Sequence, residues 1–137
     1  MGENLIVPQG RVIIYGHPGS YKSFATAQLS RAMANGIDWL EYEMKAKART
    51  LYLQGEVVPK MMQGRGLNMR TAYGQSDNTF YCYARDLTLK SESIWQELTD
   101  RIGEAKIEFV FLDPLSQLLG GSEVDDGHFR AWLDRLD

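Results

Sequence analysis

Four short runs of apolar residues punctuate the chain: Arg11-Val-Ile-Ile-Tyr15, Arg49-Thr-Leu-Tyr-Leu53, Thr79-Phe-Tyr-Cys-Tyr83 and Ile107-Glu-Phe-Val-Phe-Leu112. Each has the length of a strand, and two are nearly continuous in apolar residues, as in strands covered on both faces of a parallel sheet. Between them the period lengthens. From Lys22 to Asn35 the residues Phe24, Ala25, Leu29, Ala32 and Met33 share a helical face, and Asn35-Gly36 supplies a left-handed stop. Ser93 with Gln96 has the spacing of a capping box ahead of the stripe Trp95, Leu98, Ile102 and Ala105. Asp125 or Asp126 can cap a last helix carrying Phe129, Trp132, Leu133 and Leu136. Strands alternating with helices predict an α/β fold with a mainly parallel sheet.

Composition narrows the class without choosing a function. The chain has 137 residues, 44% of them hydrophobic and 24% charged, enough for one compact domain with a real core. No run approaches the length of a membrane span, and the opening MGENLIVPQG lacks the pattern of a secretory signal, so a cytoplasmic protein without a membrane partner is expected. Cys82 is the single cysteine; lying in FYCYA, it is expected to be a buried, unreactive thiol. The net charge of −3 is unevenly spread, with basic residues in excess up to Tyr73 and acidic ones in excess from Gly74 onward. The basic half would suit an anionic ligand.

That half contains Gly16-His-Pro-Gly-Ser-Tyr-Lys-Ser-Phe24. The phosphate-loop fingerprint G-x-x-x-x-G-K-[ST] is met at Gly16, Lys22 and Ser23 but has Tyr21 where Gly is usual. Such a loop works mainly through its backbone. Consecutive N–H groups wrap the phosphates, a helix N-terminus adds partial positive charge, and the lysine adds a full one. Pro18-Gly19 is a turn dipeptide, and Gly19 can take positive φ freely. Tyr21 is expected to sit in the first helical turn with ordinary right-handed dihedrals and to point its ring away from the ligand. The candidate phosphate-binding residues are therefore Gly16, His17, Pro18, Gly19, Ser20, Tyr21, Lys22, Ser23 and Phe24, with His17 able to reach a phosphate.

Two carboxylates accompany the loop. Asp113 closes the apolar run 107–112, where acids meet ligands at the C-terminal edge of open α/β sheets, and with the Ser23 hydroxyl it could hold Mg²⁺. Glu56 follows Leu51-Tyr-Leu-Gln-Gly; if the two strands are parallel neighbours it opens onto the same edge and could deprotonate a water that attacks the γ-phosphate. An Asp before Pro114 can equally start a turn, and a Glu after Gly55 can be merely solvated.

Taken together, GHPGSYKS, LYLQGE and FVFLDPLSQLLGGSEVDDGHFRAWLDRL resemble the RecA-like P-loop ATPases, and within them the RepA-like hexameric replicative helicases of phage and plasmid type. The resemblance covers nearly the whole chain. It implies a three-layer RecA-like P-loop core occupying residues 1–137 as a single domain, incomplete at its C-terminal side. It assigns Lys22 and Ser23 to the phosphate loop, Asp113 to the Mg²⁺ site and Glu56 to water activation, with Lys22 and Glu56 as the catalytic pair. It further implies ATP as ligand, hydrolysis between the subunits of a homo-oligomeric ring such as a hexamer, and action on single-stranded DNA. Lys45, Lys47, Arg49, Arg65 and Arg70 could touch nucleic acid, although a solvated face explains them more simply. The competing expectation is a nucleotide-dependent assembly module that binds ATP without turnover. A small-molecule kinase would need a lid and a second pocket that no segment marks.

Overall fold

The computed structural model describes residues 6–7, 9–83, 89 and 91–118. Three parallel strands form the sheet: β1 (Thr50–Gln54), β2 (Thr79–Tyr83) and β3 (Phe109–Asp113), in the order β2-β1-β3. In register, Thr50 faces Thr79 on one side and Phe109 on the other, and Gln54 faces Tyr83 and Asp113. The central strand is thus hydrogen-bonded along both edges, which is why its residues are the most deeply buried of the three.

Side chains alternate across β1 and divide the interior into two parts. Leu53 meets Leu89 and Leu118 in one cluster, joined by Leu51 and Leu112 of the sheet and by Ile94, Trp95 and Leu98 of α3 (Glu92–Glu104). Short α4 (Leu115–Leu118) closes that side, with Leu115 packed against the same cluster. On the other face Tyr52 packs with Ala27 of α1 (Lys22–Asn35) and Met69 of α2 (Pro59–Tyr73), flanked by Phe111 and Tyr73. Helices on both faces of a parallel sheet make the three-layer α/β arrangement expected of a P-loop core.

The stop at Asn35-Gly36 is realised. Gly36 adopts φ 65°, and the N–H groups of Gly36 and Ile37 bond back to Met33 and Ala32 carbonyls. Helix α2 was not foreseen; Pro59 at its first turn is the signal that could have found it, since proline there lacks only an N–H that the helix would leave unpaired.

Several expectations are corrected. Arg11–Tyr15 forms no strand: Val12, Ile13 and Ile14 are exposed and Tyr15 is 91% exposed, because both edges of β1 are taken by β2 and β3 and the segment reaches neither outer edge. Phe24 is exposed, and Ala27 takes the core-facing position instead. The capping box does not form; Ser91, not Ser93, stands at the N-cap of α3, without a side-chain cap, and the two hydroxyls bond each other at 3.0 Å. Cys82 is exposed, since β2 is an edge strand on which both Tyr81 and Cys82 are left open. The expected helix near Phe129–Leu136, its Asp125 or Asp126 cap and His128 lie outside the described residues.

Candidate nucleotide site

The site is assembled from the N-terminus of α1 and the C-terminal ends of β1 and β3. Pro18-Gly19 makes the anticipated turn, in which Ser20 N–H bonds to His17 carbonyl at 3.2 Å and Gly19 takes φ 81°. An added Cβ on Gly19 would meet nothing nearby, so its backbone angle, not crowding, is what calls for glycine. No side chain caps α1. The N–H groups of Lys22 and Ser23 at its start are thus left without a side-chain cap, with the positive end of the helix dipole behind them.

Tyr21 departs from the sequence expectation. It is the N-cap residue with φ 61° and ψ 20°, the left-handed conformation that glycine adopts freely and a tyrosine adopts at a cost. Its carbonyl accepts from Phe24 and Ala25 N–H, which starts the helix, while the ring is 80% exposed. The ring is therefore open to solvent, and the backbone takes the conformation that glycine tolerates best.

Lys22 turns back into the loop. Its Nζ donates to the carbonyls of Gly16 at 2.7 Å and His17 at 2.9 Å, with Ser20 Oγ at 3.5 Å. The ammonium is held at the loop's centre by groups that an anion could displace.

One residue further, Ser23 Oγ donates to Asp113 Oδ1 at 3.0 Å, a contact between positions 90 residues apart. The other carboxylate oxygen, Oδ2, accepts from Tyr52 hydroxyl at 2.7 Å and from Gln54 Nε2 at 3.5 Å. Tyr52 hydroxyl also lies 2.8 Å from Thr26 Oγ1 and 3.2 Å from Ser23 carbonyl. Burial pushes the Tyr52 phenol well above its ordinary pKa, and the negative charge of Asp113 pushes the same way, so it remains a neutral donor. Burial likewise raises Tyr81, against the opposing charge of Arg31. Tyr52 and Gln54 belong to the site although sequence reading did not single them out. Their signal was available: both stand on the alternation of β1 that brings Gln54 level with Asp113.

Ser23, Tyr52, Gln54, Arg65, Met69 and Tyr81 line a cavity of about 20 Å³ beneath the site, room for about one water. Gln54 is 2% exposed, and its Oε1 has no hydrogen-bond partner. A broader hollow on the outer face of α3 is lined by Glu97, Asp100, Arg101 and Glu104, and the Arg101 guanidinium is engaged by Glu97 at 2.8 Å.

Glu56 stands two residues beyond the end of β1, on the edge where Asp113 closes β3, and its side chain is exposed. It makes no hydrogen bond or ion pair to the described residues, whereas Lys22 is held within the loop and Ser23 is bonded to Asp113, both at the start of α1. Among the basic residues weighed for nucleic acid, Arg49 is in structural use, its guanidinium 5.2 Å from the centre of the Phe80 ring.

A hydroxyl and a carboxylate 3.0 Å apart are a hard oxygen pair that fits Mg²⁺. Among the described residues no group of three or more His, Cys, Asp and Glu could hold a metal ion by itself. No helix among the described residues is long and apolar enough to cross a membrane.

Neither the curated proteins nor the solved structures contain a match to this chain. The model of one family, described as the AAA domain, matches residues 1–137. With a lysine-bearing loop at a helix start and an aspartate on its serine, the chain belongs to this AAA family of P-loop ATPase domains.

Proposed function

We propose that residues 1–137 act as a single RecA-like unit that binds and hydrolyses ATP with Mg²⁺, as the core of a RepA/RecA-like helicase or recombination-type motor working on DNA as a homo-oligomeric ring. The observation that carries the nucleotide part is the 3.0 Å contact between Ser23 Oγ and Asp113 Oδ1, which ties the helix start to the sheet edge. The motor part rests on the resemblance of the three motifs.

In this reading the loop from Gly16 to Phe24 surrounds the phosphates with those of its N–H groups that are not already bonded within it, and Lys22 exchanges its two carbonyl partners for phosphate oxygens. Ser23 and Asp113 would hold Mg²⁺, which supplies charge neutralisation at the β- and γ-phosphates. Glu56 receives a proton from the attacking water as the new O–P bond forms. The bond from the γ-phosphorus to the bridging oxygen breaks, and ADP leaves with that oxygen. An exposed carboxylate is free to serve a ligand bound above it.

The test is phosphate release by the purified chain with Mg²⁺, with and without single-stranded DNA. Lys22→Ala should lower ATP affinity by about 100-fold or more. Glu56→Gln should keep affinity and lower turnover by a factor of about 10² to 10⁴. An undiminished turnover in Glu56→Gln removes the proposed base. ATP-driven oligomerisation without phosphate release, with or without DNA, would instead identify an assembly module.

A further inference from the structure

The two oxygens of Asp113 have unlike surroundings. Oδ1 meets the Ser23 hydroxyl, whereas Oδ2 is engaged by Tyr52 at 2.7 Å and by the weaker Gln54 donor at 3.5 Å. The stronger donor is itself fixed. Tyr52 lies in the central strand, its ring stacks on Phe111 with centroids 5.8 Å apart, and its hydroxyl lies against Thr26 Oγ1. Turning Asp113 so that both oxygens face outward would break a short charge-assisted hydrogen bond and leave the hydroxyl only its contacts with Thr26 Oγ1 and the Ser23 carbonyl.

We infer that Tyr52, assisted by Gln54, sets the cation preference of this site: by retaining Oδ2 it leaves Asp113 a single oxygen, Oδ1, to offer a divalent ion or one of its waters. Mg²⁺ is small, demands near-octahedral geometry, takes carboxylates one oxygen at a time and keeps several waters. Ca²⁺ takes six to eight oxygens and readily accepts both from one carboxylate. Withholding Oδ2 therefore penalises Ca²⁺ relative to Mg²⁺. Tyr52 is a positioning residue here, acting through Asp113. The inference rests on the nucleotide reading proposed above.

The experiment is equilibrium binding of a ribose-labelled fluorescent ATP to the full chain in Mg²⁺, in Ca²⁺ and in EDTA, for wild type and Tyr52→Phe. Wild type should bind more tightly with Mg²⁺ than in EDTA; no binding in any of the three overturns the nucleotide reading, whereas equal binding in all three overturns the cation site and this inference while leaving nucleotide binding standing. Given that dependence, Tyr52→Phe should move the ratio of the Ca²⁺ to the Mg²⁺ dissociation constant about tenfold in favour of Ca²⁺. An unchanged ratio, or equal weakening with both ions, overturns the inference and leaves the nucleotide reading standing. If thermal melting shows that Tyr52→Phe does not fold, Gln54→Leu decides: it should shift the ratio about threefold in the same direction, and no shift overturns the proposal.

Discussion

The two faces of β1 do different work. Leu51 and Leu53 face an apolar cluster closed by Leu89 and Leu118, in which the packed side chains are hydrophobic. Thr50, Tyr52 and Gln54 face α1 and α2 through a line of polar contacts. Thr50 pairs with Ser30, Tyr52 with Thr26 and Asp113, and Gln54 with Asp113. A period of two residues thus separates adhesion from positioning within one five-residue strand. The apolar side is non-directional and tolerates small shifts, whereas the polar side holds atoms at set distances and leads directly to the carboxylate beside the loop.

Substitutions on the two faces should separate the two roles. Leu53, 1% exposed, should give the largest stability effect: Leu53→Ala should cost about 3 kcal/mol in denaturant unfolding. Its Mg²⁺-dependent nucleotide affinity, measured where the variant remains folded, should stay within about twofold of wild type. A large loss of affinity would show that the faces are not independent. Ser30→Ala on the polar face should cost about 1 to 2 kcal/mol, because Thr50 is fully buried and loses the hydroxyl 3.0 Å away. Equal stability to wild type would mean that this end of the polar line contributes nothing. Smallest is Tyr21→Gly, at the exposed rim of the loop. Relief of the left-handed tyrosine should raise stability by about 1 kcal/mol, less the added freedom of glycine in the unfolded chain. A loss of stability would show that the exposed ring makes a compensating contribution.

Three of the four apolar runs are strands, displaced by no more than about two residues from their sequence limits, since β-branched and aromatic residues between turn signals carry that information locally. The loop, its Pro18-Gly19 turn, the helix from Lys22 to Asn35 and the Gly36 stop were equally legible. The misses share a cause. Whether Arg11–Tyr15 pairs, whether Cys82 is covered and whether Phe24 or Ala27 faces the core are questions about neighbours far along the chain, which apolar character alone does not answer. Tyr21 failed differently: its left-handed backbone follows from how the turn before it and the helix after it must join.

From its order of residues alone, this protein determines a phosphate loop between a turn and a helix, acids at the ends of two apolar runs, and an α/β alternation, because each of these is set by residue type and short spacing. Only the tertiary structure decided that β1 lies between β2 and β3, that Asp113 comes level with Gln54, and that Tyr52 and Ser23 divide the two oxygens of one carboxylate. The reason is physical. Strand order and register are chosen by burying both faces of the sheet at once, and a contact spanning 90 residues is a product of that choice, which no local pattern encodes.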